Sequence, residues 1–166
     1  MGRSGGPGDH LVTDPATGTD AGPESVARRF VEAWNRADAD ALAEAFTQDA
    51  DFVNVVGFRW HGRRQIRHNH AIGFRDMFGD STMALERVRT RPLGEDHAVI
   101  QARWTMQGQR SPDGIVDPGP RRGVFTFVCA RQPDGTWLGV TGHNTDIVPG
   151  AQTHVAGTEG VRPARY

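Results

Sequence analysis

His97-Ala98-Val99-Ile100-Gln101-Ala102-Arg103-Trp104-Thr105-Met106-Gln107 carries a period of two. Ala98, Ile100, Ala102, Trp104 and Met106 fall on one side, and Gln101, Arg103 and Thr105 on the other. A period of two over this length specifies a strand with one buried face. The neighbouring segments agree. Residues 82–92 read as a strand before it, and 121–131 and 136–147 as two strands after it. Pro133-Asp134-Gly135 joins the last two as a hairpin turn. Gly and Pro recur between 108 and 120, which predicts a mobile loop.

Upstream, the period lengthens. Pro23-Glu24 is a helix start, and Val26, Phe30, Ala33, Trp34 and Ala37 then recur at three- and four-residue spacing. Asp38 can cap a short second helix with apolar positions Ala41, Leu42, Ala45 and Phe46, broken at Gln48-Asp49. Residues 51–56 read as a strand ended by Gly57, and Phe58-Arg59-Trp60-His61 as a short return strand. A third helix is predicted over 63–78, with Ile66, His70, Phe74 and Met77 in one stripe. Helices segregated from a run of meander strands imply an α+β fold.

Length and composition bound the rest. A chain of 166 residues is about one domain and can bury a core unaided. The net charge of −1 gives no global field for nucleic acid or an anionic membrane, and neither is expected as a partner. The short basic runs Arg63-Arg64-Gln65-Ile66-Arg67 and Arg121-Arg122 read as solvated surface. Cys129 is the only cysteine, so an intramolecular disulfide and a cysteine zinc site are excluded. It lies in an apolar strand, where a thiol acts as a small core residue. His68 and His70 are splayed on a helix and no His-Glu-x-x-His spacing occurs, so no metal site is expected. No apolar run approaches the roughly 20 residues that a membrane-spanning helix needs, and the first residues do not read as a secretory signal, so a soluble cytoplasmic protein is expected. Residues 1–22 and 148–166 lack periodicity and read as a disordered N-terminal and a flexible C-terminal tail around a body of 23–147.

Several stretches in this order resemble the nuclear-transport-factor-2-like (SnoaL-like) superfamily over about 24–147. They are Phe30-Val31-Glu32-Ala33-Trp34-Asn35-Arg36-Ala37-Asp38, then Phe46-Thr47-Gln48-Asp49-Ala50-Asp51-Phe52, then Gly62 to Ile66, then Asp134-Gly135-Thr136-Trp137. The end, His143-Asn144-Thr145-Asp146-Ile147-Val148-Pro149-Gly150, looks like the SgcJ/EcaC family, which accompanies natural-product pathways including enediyne polyketide biosynthesis. The resemblance implies a cone of three N-terminal helices packed on a strongly curved, mostly antiparallel sheet, open at one end as an apolar ligand cavity. Such a fold does not fix function, since relatives include isomerases, cyclases, hydrolases and plain binding modules. No Gly-rich phosphate loop or nicotinamide or flavin motif is present, and no cofactor is expected.

Candidate site residues must lie on inward faces. His70 shares the apolar stripe of its helix and is either a satisfied core histidine or a general acid or base. Asn69 flanks it and can hold a ligand oxygen. Asn54 shares a side of its strand with Phe52, and the resemblance to ketosteroid isomerases places it where they carry an aspartate base. An amide can orient an oxygen but cannot act as a base in the ordinary pH range. His143 and Asn144 point to opposite sides of the last strand, one of them inward, with His143 the favoured second catalytic residue. Asp146 is either a turn former or a partner that orients a histidine. Trp34, Phe52, Trp60, Trp104, Phe125 and Phe127 supply aromatic walls.

Two functions fit. One is a cofactor-independent enzyme that cyclises, isomerises or dehydrates a hydrophobic polyketide-like intermediate, with His70 or His143 moving the proton and Asn54 or Asn144 polarising an oxygen. The other is a non-catalytic accessory protein that holds such an intermediate beside a polyketide synthase. Either is expected as a homodimer, with Gln101, Arg103, Thr105, Val124, Thr126 and Val128 on the outer sheet face.

Overall fold

The alternating segment 97–107 becomes the third strand of a seven-stranded sheet. A computed structural model describes residues 11–13, by backbone only, 21–112 and 118–166. In chain order the elements are β1 (Leu11–Thr13), α1 (Ser25–Asn35), α2 (Ala39–Glu44), β2 (Phe46–Val53), β3 (Arg59–His61) and α3 (Gly62–Gly73). A π-helical turn (Phe74–Phe78) follows, then β4 (Thr82–Pro92), β5 (His97–Gln107), β6 (Arg121–Arg131), β7 (Trp137–Asp146) and the hairpin β8 (Thr153–Gly157) and β9 (Gly160–Ala164). The sheet order is β1-β4-β5-β6-β7-β2-β3, with β8 and β9 apart. Neighbours are antiparallel except β2 and β7, which run parallel. The architecture is therefore α+β, three helices against one face of a curled sheet.

Two bulges help to curl it. On β4, Leu85 faces Trp104 and Arg87 faces Arg103, so Glu86 is the extra residue. On β7, Gly139 faces Cys129 and Thr141 faces Val128, so Val140 is extra. A bulge bends its strand and shifts the inward parity by one. Thus Trp137 and Gly139 point inward before the second bulge, and Gly142 and Asn144 after it.

The concave face is filled by rings. Phe30 of α1 packs against Phe46, Phe52, Phe125 and Phe127, with ring centres 4.8–6.2 Å apart. Strand glycines make the room. A Cβ on Gly123 would overlap the indole of Trp104. One on Gly142 would stand 2.8 Å from Phe52 and 3.0 Å from Phe127.

The sequence pattern is met in most elements and corrected in several. Asp38 caps α2 by accepting from the Ala41 N–H at 2.9 Å, worth about 1 kcal/mol. Phe46, expected in α2, instead opens β2, because it pairs with Gly139 and buries its ring against Phe30. The third helix changes to π geometry at Phe74 rather than running unbroken to 78. Within the expected N-terminal tail, Leu11–Thr13 pairs with Thr90, Arg89 and Val88 and so covers part of the outer edge of β4. The rest of that tail, 1–10 and 14–20, and the 113–117 part of the expected mobile loop lie outside the described residues. The expected flexible C-terminal tail carries the β8–β9 ladder, closed by the turn Thr158-Glu159. No helix among the described residues is long and apolar enough to cross a membrane.

Overpacking tests this account of the concave face. Gly142→Ala is expected to lower the unfolding free energy by about 1–3 kcal/mol in urea titrations, since two packed rings must give way. Thr141→Ala, on the other side of the strand, is the comparison. Equal stability of the two variants would contradict the packing described.

Candidate functional site

The helices cover only part of the curled sheet. Where β2 and β7 end, the concave face stays open as a pocket with a cavity volume of about 110 Å³. Trp34, Phe52, Trp60, Phe78, Met83, Trp104 and Met106 form mostly apolar walls, with His70, Asn54, Asn69, Asn144 and Arg121 as the polar lining. No carboxylate lines the pocket among the described residues.

His70 sits at its floor. The stripe of α3 turns the imidazole inward, leaving 7% of the residue accessible. Phe30, Phe52, Trp34 and Trp60 present rings nearly perpendicular to it at 5.2–6.2 Å. Its Nδ1 lies 2.8 Å from the Ile66 carbonyl. A carbonyl only accepts, so Nδ1 carries the proton and Nε2 keeps a bare lone pair. Burial pushes the imidazole down to about 4, against a smaller opposing pull from the Ile66 carbonyl. At neutral pH the ring is an uncharged acceptor.

Each amide in the pocket is fixed by a bond that leaves one end free. The Trp104 indole N–H donates to Asn144 Oδ1 at 3.0 Å. An indole N–H can only donate, so the Asn144 NH₂ is left for a ligand. Asn69 donates its NH₂ to the Gln65 carbonyl at 2.8 Å and keeps its oxygen. Asn54 Oδ1 accepts from the N–H groups of Val56 (3.1 Å) and Phe58 (2.9 Å) and so closes the β2–β3 turn. Asn54 thus bonds backbone at the end of its strand, and only its NH₂ remains for the pocket.

Several expected placements change. His143 is exposed on the outside of the sheet, facing Thr126 and Val53 of the neighbouring strands, because the Val140 bulge turns Asn144 inward instead. Phe125 and Phe127 are fully buried beneath Phe30 and do not reach the pocket. Asp146 orients no histidine. It grips Arg121 through two bonds of 2.7 and 2.8 Å. Arg121, read as solvated, is turned half inward to the mouth, where it also donates to Gln109 at 3.0 Å. Asp51 lies outside the pocket and pairs with Arg59 and His61. Burial pushes the Cys129 thiol up to about 12, which rules out a thiolate nucleophile. Among the described residues no three His, Cys, Asp or Glu side chains converge as metal ligands.

Phe78, Met83, Met106 and Arg121 line the pocket without having been singled out as site residues. Arg121 and Met106 were legible by parity, the one with Phe125 and the other with Trp104. Phe78 was not, because its aim is set by the π-helical turn, a feature frequent at functional sites.

His70 makes stability pH-dependent. In the unfolded chain it titrates near its ordinary 6.5, in the folded protein near 4. Between these values the unfolded chain binds more protons, so stability falls as pH is lowered, by about 3 kcal/mol once pH reaches 4. Unfolding free energies of wild type and His70→Gln from pH 7 to pH 4 should differ in slope accordingly. Parallel curves would contradict the buried neutral imidazole.

Comparison with known proteins places this geometry in a family. A model of the SnoaL-like domain matches residues 27–138. A protein with a cystatin-like fold from Caulobacter vibrioides is 27% identical, with TM-score 0.69 over 76% of this chain and 87% of that one. A ketosteroid isomerase-like protein from Erwinia carotovora atroseptica is 19% identical, with TM-score 0.61 over 76% and 94%. A nuclear transport factor 2-like superfamily protein from Salmonella enterica is also 19% identical, with TM-score 0.64 over 77% and 90%. No curated protein matches the chain. With the family model spanning well over half its length, the chain belongs to the SnoaL-like domain family.

Proposed function

We propose that this protein binds a flat, largely apolar molecule bearing one carbonyl or hydroxyl, and moves a proton on it without a cofactor. The observation that carries this reading is His70: a neutral imidazole with its proton pinned at Nδ1 and its Nε2 bare, in a pocket whose other polar groups are uncharged amides and an ion-paired Arg121. Nε2 would take a proton from a carbon or hydroxyl of the ligand. The Asn144 NH₂, held by Trp104, would donate to the oxygen on which charge develops. A conjugate acid near 4 keeps the base unprotonated at neutral pH and makes the imidazolium a ready donor for returning the proton elsewhere on the same molecule. Isomerisation, cyclisation and dehydration all need that pair of steps. The SgcJ/EcaC-like end of the chain suggests a polyketide-like intermediate of secondary metabolism as the natural ligand.

A second reading is a non-catalytic protein that holds such an intermediate beside a synthase. It is favoured by the lack of a carboxylate in the lining and by Asn54, whose oxygen is engaged in a turn.

Exchange of the α-hydrogens of 2-tetralone in D₂O, followed by NMR, separates the two. Wild type should accelerate the exchange, His70→Gln should lose a factor of about 10²–10⁴ of it, and Asn144→Leu a factor of about 10²–10³. Binding of the ketone without acceleration leaves the accessory reading. Exchange unaffected by His70→Gln removes His70 as the base.

A further inference from the structure

We infer that the C-terminal hairpin is an assembly arm, and that β8 pairs edge to edge with β8 of a second copy of this chain.

The hairpin rises from the end of β7, beyond Asp146, and has no extensive contact with any described helix or strand of the body. Every residue of β8 and β9 is exposed except Ala164, which is half-buried. Val155 and Val161 are 59% and 66% exposed. A lone two-stranded hairpin is marginal in water and needs a third strand or a helix packed on it for independent stability, and no described helix packs extensively on this one. A further strand is therefore called for, and the two edges differ in their capacity to accept one.

The edge chemistry follows from the ladder. The Ala164 carbonyl accepts from the Gln152 N–H at 2.8 Å, so the backbone groups of Ala164 face β8. By alternation Gly160 and Arg162 face β8 too, and Val161 and Pro163 face outward. Pro163 has no N–H, so the outer edge of β9 lacks a donor there. On β8 the partners of the inward residues are Thr153, Val155 and Gly157. His154 and Ala156 therefore turn both their N–H and C=O groups outward. That edge is complete and, among the described residues, open.

It is also self-complementary. In an antiparallel pair centred on Val155, His154 of one copy faces Ala156 of the other, and the reverse holds across the two-fold axis. Each of these pairs exchanges two backbone hydrogen bonds. The two Val155 side chains meet directly, and no like charges stand opposite each other. The product is a four-stranded sheet, β9-β8-β8-β9, with an isologous interface. It is distinct from the outer sheet face around Gln101 and Arg103, and it does not depend on the ligand proposed above.

Cysteine cross-linking of the full chain tests it, with the buried Cys129 as a silent background. At a directly opposed, non-hydrogen-bonded pair the Cα atoms lie about 4.5 Å apart, within disulfide reach. Val155→Cys should give covalent dimers in a glutathione redox buffer faster than Thr153→Cys by roughly tenfold or more. The latter pair would sit about 13 Å apart. Adding Ala156→Pro to Val155→Cys removes an outward donor, leaves the β8–β9 ladder intact, and should reduce the rate to the Thr153→Cys level. Equal rates for Val155→Cys and Thr153→Cys overturn the pairing and leave the β8 edge to a strand of another protein. A fast Val155→Cys reaction untouched by Ala156→Pro overturns the backbone register.

Discussion

Wrapping one sheet around the Phe30 side chain is the constraint on which the rest of the structure depends. Phe30 meets rings from α1, β2, α3 and β6 at once: Trp34, Phe46, Phe52, His70, Phe125 and Phe127. To bring those rings within about 6 Å of one centre the sheet must curl. The extra residues at Glu86 and Val140 and the bare Cα positions of Gly123 and Gly142 allow it. Where the rings are numerous the cone is solid. Where β2 and β7 run out, the same curvature has too few side chains to fill it, and the pocket is what remains.

The chemistry of the pocket follows from the packing. His70 is buried because its helix must present a stripe to Phe30, and an imidazole so placed loses its charge. The Ile66 carbonyl then decides which nitrogen keeps the proton. Trp104, laid over Gly123, decides which end of Asn144 faces the ligand. A bare acceptor and a free donor thus result from two structural hydrogen bonds, and neither group had to be left wholly unsatisfied. The mouth is polar but balanced, since Arg121 is held by Asp146.

Much of this was legible in the sequence, and the failures share a cause. The period of two over 97–107 and the apolar run within 121–131 both read as strands, and their bounds survive to the residue. The stripe carrying His70 was equally plain. The last strand was not, because alternation alone could not reveal a bulge at Val140, and without it His143 appears as good a candidate as Asn144. Phe46 was drawn into a helix by its spacing from Leu42, whereas its partner, Gly139, lies far along the chain. Phe125 and Phe127 have the inward parity expected of pocket walls, but depth along the cone, which parity does not encode, places them under Phe30. The C-terminal hairpin has no apolar period to betray it, as it buries almost nothing within its own chain.

The central claim is that a neutral imidazole, protonated at Nδ1 and bare at Nε2, faces the pocket. Nitrogen-15 NMR of the His70 ring reads this directly. The account predicts the Nδ1–H tautomer at neutral pH, with protonation of Nε2 only as pH approaches about 4. An imidazolium at neutral pH, or a proton on Nε2 with Nδ1 bare, would contradict it.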